Sequence, residues 1–331
     1  MQQATQLKET QVQTNQNTIV EGVSFWQDAW KRLKKNKAAM ISAYCVLFLV
    51  IVCFFGPFIL NKFFGYDFST QDLAYGAKPP TLKHPFGTDY FGRDLLTRTL
   101  VGGSISLMVG LIAATVAAIV GTIFGSVSGF FGGRVDNLMM RFVDVLYAVP
   151  YLFLVIILVT VIERVNVGSI FDPFNTVSEV LMGLKIFEGR LILLFIALGL
   201  VGWLTTARIV RGQVLSIKEQ EFVQAARSIG VSNTAIIFRH LIPNALGTII
   251  VYFTLTVPSM IMQEAFLSFI GLGIQPPNPS LGSLISDGAK QMQLYWWTLV
   301  FPAIFLAILL YCLNFVGDGL RDALDPKERK E

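Results

Sequence analysis

The chain has 331 residues, 53% of them hydrophobic and only 15% charged, with a mean hydropathy of +0.60. That balance excludes the soluble two-domain globule its length would otherwise suggest and makes the bilayer the solvent. The net charge of +4 is then a matter of membrane orientation and requires no nucleic-acid partner.

A ~30 Å hydrocarbon core needs ~20 mostly apolar residues per helix. Spans are predicted at about 38–60, 101–130, 142–162, 190–210, 243–272 and 294–316, which defines an all-α polytopic membrane protein. Its parts are an N-terminal tail 1–37, a six-span domain 38–316 and a C-terminal tail 317–331. Met1 to about Gly22, rich in Gln and Thr, has little to bury and reads as disordered. The first apolar segment begins too late and is too long for a cleaved signal peptide, so it is read as a retained span. Lys31, Arg32, Lys34, Lys35 and Lys37 precede it and place the N-terminus in the cytoplasm. Six crossings return the C-terminal tail, with Arg321, Lys327, Arg329 and Lys330, to the same side. The first external loop, 61–100, carries Lys62, Lys78, Lys83, Arg93 and Arg98 against that orientation, but it is long and also holds Asp67, Asp72, Asp89 and Asp94. Cys45, Cys53 and Cys312 all fall inside predicted spans without CxxC spacing, which suggests apolar packing rather than a disulfide or zinc site.

In the second span Ala113, Ala117, Gly121, Gly125, Gly129 and Gly133 recur every fourth residue, as do Gly102, Ser106, Gly110, Ala114 and Ala118. Small residues on a helix face let backbones approach closely in lipid, where no hydrophobic force drives association. The rows serve packing within this chain or against a second chain equally well. The second and fifth spans exceed a straight crossing and must tilt, kink or project, and Pro258 makes a kink natural in the fifth. Glu264 lies deep in that span, and an intramembrane carboxylate implies a pathway or a pairing role. Gly271, Gly273, Pro276, Pro277 and Pro279 make the following loop non-helical. SLGSLISDGAKQMQ then forms a short amphipathic helix, either an interfacial connector or a gate, and Trp296 and Trp297 open the sixth span as an interfacial aromatic pair. The external segment 162–189 has no assigned role.

A polar stretch, EFVQAARSIGVSNTAIIFRHLIPNAL from Glu221 to Leu246, interrupts the apolar chain on the cytoplasmic side. Phe222, Ala225, Ala226 and Ile229 are spaced as one apolar helix face, Gly230 stops the helix at a positive φ, and Ser232 caps the next. Pro243 belongs at or near the start of the fifth span. This helix-turn-helix within 211–242 is too small for its own core. DNA binding does not fit, because Arg211, Lys218, Arg227 and Arg239 are scattered and offset by Glu219 and Glu221. A self-packed loop or, favoured, a docking element remains.

That stretch resembles the EAA motif of ABC importer permeases: Ala225 and Ala226 precede Gly230 by the right interval and Pro243 follows at the right distance. Gln224 stands at the glutamate position, His240 and Ile242 at the isoleucine and leucine positions, while Arg239, His240, Pro243 and Asn244 are similar to the RH-x-x-PN variant of peptide permeases. GTDYFGRDLLTR (87–98), GGRVDNLMMRF (132–142), TARIVRGQ (206–213), PSMIMQEAFLSFIGLG (258–273) and GDGLRDALDPK (317–327) resemble the OppC-type second permease subunit of oligopeptide importers. The likeness runs from about residue 25 to 327.

The resemblance implies the ABC importer permease fold, a bacterial inner-membrane location, and an assembly of two different permeases, two ATPase subunits binding ATP and Mg, and an external peptide-binding protein. It also implies that Gln224, Ala225, Ala226 and Gly230, with Glu221, Phe222, Arg227 and Ser232 around them, sit at the joint with the ATPases. Gly121, Gly125 and Gly129 are expected to pack helices, and Glu264, Gly271 and Gly273 to lie near the substrate pathway. No G-x-x-x-x-G-K-[ST] loop occurs in the sequence and no nucleophile–base constellation is evident around His84 or His240, so no catalytic residue, metal or cofactor is assigned to this chain. Related permeases serve dipeptides, glutathione or nickel chelates, and these stay open as cargo. A gradient-driven transporter would need inverted repeats and charged midplane ligands, which the sequence does not display, and a purely structural subunit is the third reading.

Overall fold

Asn36 divides the first two helices of the computed structural model, which describes residues 25–164 and 189–324. Before it lies α1 (Phe25–Lys35); after it, α2 (Lys37–Phe64) starts with the Asn36 side chain accepting from the Ala39 N–H at 3.2 Å. The sequence places these residues within an N-terminal tail, 1–37, and the structure makes a helix of them. Ala29 is buried beside Val251 and Leu324, while Trp26 and Trp30 are exposed, the pattern of a helix lying at an interface. The expected disorder of 1–22, the end of the C-terminal tail and most of the 162–189 segment lie outside the described residues.

α3 (Leu95–Phe131) is longer than the predicted second span and occupies the centre of the bundle, touching α2 and five elements that follow. Asp94 caps it, accepting from Thr97 N at 2.8 Å and Thr97 Oγ1 at 2.7 Å. The third span departs most from expectation. α4 (Gly133–Ala148) and α5 (Tyr151–Arg164) replace one straight crossing over 142–162 and meet at 93°. Pro150 is the cause: it disfavours helical backbone at the preceding residue, and Val149 is extended with φ −83 and ψ 129.

α6 (Gly189–Ile217) runs along α3, and the first small-residue row lies at that seam as far as Gly129; Gly133 falls beyond the end of α3, at φ +55 with nothing within 4 Å of an added Cβ. A Cβ added to Gly121 would come within 2.6 Å of Thr206 Cβ, one on Gly125 within 2.4 Å of the Ala207 carbonyl oxygen, and one on Gly129 within 2.9 Å of the Arg211 carbonyl oxygen. The partner of this face is therefore within the same chain. On the second row, Gly110 faces Ile261 and Gly102 faces Ser280 and Leu281.

After the short α7 (Glu221–Ser228) the chain forms α8 (Asn233–Phe269), one uninterrupted helix that contains Pro258. The separate second helix of the bracket, expected to end before the span, merges into it through a π-turn at Ile236–Leu241, where the Ile242 N–H reaches the Ile237 carbonyl. The wider turn comes immediately before Pro243, which has no N–H to donate. α9 (Leu281–Gln291), started by a Ser280–Ser283 capping box, is not a free amphipathic connector: Leu281, Leu284 and Ser286 are buried against the bundle. α10 (Trp297–Leu324) completes it. Trp297 also departs from the interfacial reading, since it is buried and donates from Nε1 to the Thr88 carbonyl at 3.1 Å, while Trp296 is exposed. That bond pins the first external loop, where His84 pairs with Asp94 at 2.8 Å. Among the described residues five helices are long and apolar enough to cross a membrane, and the bent pair makes a sixth if it counts as one span.

Candidate coupling site and central cavity

Helix α7 is held as part of a rigid bracket. Its end is a Schellman motif: the Gly230 N–H donates to the Arg227 carbonyl at 3.0 Å and the Val231 N–H to the Ala226 carbonyl at 3.1 Å, with Gly230 at φ +80. Ser232 then caps the next turn, accepting from Ala235 N at 3.4 Å. The face that anchors α7 differs from the one expected. Val223 and Ala226 are buried with Phe130, Val214, Ile236 and Leu241, whereas Phe222, Ala225 and Ile229 are exposed, Ile229 by 81%. The four-residue apolar pattern merged two faces: a helix of eight residues turns only about twice, and a pattern so short cannot tell the bundle side from the outward side.

The polar residues complete the bracket. Gln224 Nε2 donates to the Glu219 carbonyl at 3.1 Å, which bends the approach to α7, and Ser228 Oγ donates back to the Gln224 carbonyl at 3.0 Å. Glu221 sits in the first turn, where a negative charge complements the exposed N–H groups. The Arg227 guanidinium lies 4.8 Å from the Phe130 ring centroid, over the last turn of α3.

Two further links join the bracket to the spans. Lys218 Nζ donates to the Gly129 carbonyl at 3.0 Å near the C-terminus of α3, favourable for a cation there. Arg211 on α6 grips Asp136 on α4 through Nε and Nη2, one to each carboxylate oxygen, and Ser128 on α3 donates to the same carboxylate. Three helices thus meet at one ion pair. Asp136 and Arg211 fall within the GGRVDNLMMRF and TARIVRGQ segments, but no local pattern pairs residues 75 positions apart.

Glu264 is fully buried: Ser106 Oγ donates to Oε2 at 2.8 Å and Ser268 Oγ to Oε1 at 2.6 Å. Those hydroxyls accept in turn from the N–H groups of Leu281 at 3.4 Å and Ile274 at 3.2 Å. The carboxylate thereby ties α3, α8 and the start of α9 together. Gly273 is tight against Ser268, and Gly271 takes φ +85 with open space around it. None of Glu264, Gly271 and Gly273 lines the cavity of about 420 Å³ that the bundle contains; its walls are the α4–α5 bend, α6 and α8. A buried carboxylate with both oxygens hydrogen-bonded is satisfied in place, which explains why Glu264 sits apart from that space. Among the described residues there is no cluster of His, Cys, Asp and Glu fit to hold a metal ion.

The family described as binding-protein-dependent transport system inner membrane component matches residues 121–330, and the N-terminal transmembrane domain of oligopeptide transport permease C matches residues 24–80. The chain is similar to the oligopeptide transport system permease protein OppC of Escherichia coli (strain K12), 47% identical over 310 residues, covering 94% of each chain. It is similar to the dipeptide transport system permease protein DppC of Bacillus subtilis (strain 168), 45% identical over 309 residues, covering 93% of this chain and 88% of that one. A solved inward-facing structure of the MetNI methionine ABC transporter aligns over 70% of this chain and 96% of its own at 18% identity, with a TM-score of 0.48. The family match over more than half of the chain, together with these identities, establishes that this chain belongs to the inner membrane components of binding-protein-dependent transport systems.

Proposed function

We propose that this chain is a permease subunit of an ATP-driven oligopeptide importer, forming half of the translocation path and receiving mechanical work at α7. The observation that carries the reading is the exposed Phe222, Ala225 and Ile229 face on a bracket whose other face is locked into the bundle. A solvated apolar face on a rigid short helix is suited to seat in a groove of a cytoplasmic partner. The partners in this reading are a second permease, two ATPases that bind ATP and Mg, and an external binding protein that delivers peptide. Both termini lie in the cytoplasm, and this chain hydrolyses nothing itself. Closure of the ATPase pair pushes α7, and the Lys218 and Arg211–Asp136 links pass the displacement to α3, α4 and α6. The shift between inward- and outward-facing states is limited by the difference in ATP affinity between them.

The relatives support oligopeptide cargo, and the similarity to a dipeptide permease supports a second reading in which cargo is two residues long. Purifying the tagged chain from its native host tests the assembly: a second permease and two ATPases should co-elute. Competition between dipeptides and longer peptides for ATP-dependent uptake into vesicles holding that complex separates the two cargoes. Recovery of the chain alone from several detergents would count against the coupling reading and favour a gradient-driven or structural role.

A further inference from the structure

The cavity is lined on one side by a row of polar side chains. On α8, Tyr252, Thr256, Ser259 and Gln263 all line it. Their spacing of four, three and four residues places them on one helix face. A polar row along a span is costly against lipid and belongs against protein or a wet lumen. Facing it are Tyr151, at the start of α5 beyond the bend, and Thr205 on α6.

No Asp, Glu, Lys, Arg or His lines this space among the described residues. The nearby Arg208 does not line the space and its charge is paired: Nη2 meets Asp144 Oδ1 at 2.6 Å, and the guanidinium lies 4.0 Å from the ring centroid of Tyr147, a lining residue. The hydroxyl protons of Thr256 and Ser259 are also committed, Thr256 Oγ1 donating to the Tyr252 carbonyl at 2.6 Å and Ser259 Oγ to the Leu255 carbonyl at 3.3 Å. Their lone pairs remain free to accept. Gln263 Oε1 and Tyr151 Oη are buried with no hydrogen-bond partner among the described residues; the amide oxygen can only take a donor, whereas the phenol can give its proton as well as accept one, so both sides of a peptide group can be met.

We infer that the stripe Tyr252–Thr256–Ser259–Gln263, with Tyr151 and Thr205 opposite, is a charge-free track that holds the main chain of a peptide in transit and ignores the charge of its side chains. The inference rests on the peptide-importer reading and says where in this chain the cargo runs. A main chain offers an N–H at nearly every residue whatever its sequence, so acceptors without charge suit any sequence. The absence of fixed charge also keeps binding weak enough for release, as conduction through any selective path requires. Met260, beside the stripe on the same wall, adapts its shape to different side chains.

The test uses the whole transporter complex in vesicles with two tripeptides, Ala-Glu-Ala and Ala-Lys-Ala. Ser259→Asp should lower uptake of the acidic peptide relative to the basic one by about tenfold against the wild-type ratio, and Ser259→Lys should shift the ratio the other way, because a charge in the track acts on cargo charge at short range. A ratio unchanged by both variants overturns the track. Because either charge could prevent assembly, Ser259→Cys in an importing complex in nanodiscs provides a separate readout. The introduced thiol should react with a membrane-impermeant thiol reagent above the background of the three native cysteines. No reaction means that the stripe packs against the second permease, and this too overturns the proposal. If the wild-type complex imports neither tripeptide while the introduced thiol still reacts, the peptide reading fails and the main-chain assignment falls with it, but the aqueous position of the stripe stands.

Discussion

Gly230 makes the most specific demand on residue identity in the bracket. Its φ of +80 closes the Schellman turn, and an added Cβ would meet nothing within 4 Å. The constraint is therefore backbone conformation and not space. Gly230→Val should cost about 1–2 kcal/mol of local strain and reduce peptide uptake; uptake at the wild-type rate with normal complex formation would remove this residue from the mechanism. The two faces of α7 predict opposite phenotypes. Ile229→Asp, on the outward face, should leave the chain folded but release the ATPases during purification, with a loss of at least about 1 kcal/mol in association. Val223→Asp places an unpaired charge in the buried face and should lower the yield of folded chain itself. Comparing co-purification with size-exclusion profiles distinguishes the two.

At the level of elements, the seam of α3 and α6 depends on the absence of side chains at Gly121, Gly125 and Gly129. Gly125→Ile would drive a branched side chain into the Ala207 carbonyl and Val210. It should destabilise the detergent-solubilised protein by about 1–3 kcal/mol, read as a lower thermal transition. Gly212, also on α6, has nothing within 4 Å of an added Cβ. Gly212→Ala should raise the transition slightly, by up to ~1 kcal/mol, because alanine is the better helix former. Equal effects from both substitutions would mean that the seam is not a close contact in the assembled protein. The α4–α5 break shows the same dependence on local chemistry: a single proline converts one expected span into two helices at a right angle, and the cavity opens beside that bend.

For the whole molecule, the ion pair of Asp136 and Arg211 is where α3, α4 and α6 meet. Asp136 is nearly buried and Arg211 about a third exposed, so the pair is worth less than a fully buried one. Asp136→Ala should destabilise the chain by about 1–3 kcal/mol and lower the number of peptides imported per ATP in the reconstituted complex. The double variant Asp136→Arg with Arg211→Asp should recover part of the loss if the pair transmits motion. A double-mutant cycle with no coupling energy would show that the two residues act independently.

The sequence by itself determined the solvent, the helical class, five of the spans to within a turn or two at most boundaries, and the glycine-capped bracket. Each of these follows from runs of apolar residues or from a local backbone requirement such as that at Gly230, and both are written in neighbouring positions. The tertiary structure alone decided which face of α7 is buried, that Glu264 is satisfied by Ser106 and Ser268, that Trp297 pins a loop 209 positions away, and that Asp136 meets Arg211. The polar row on α8 was legible as a period but gained meaning only when α4, α5 and α6 left a space in front of it. Contacts between residues distant in sequence depend on how helices cross, and no local pattern specifies that crossing.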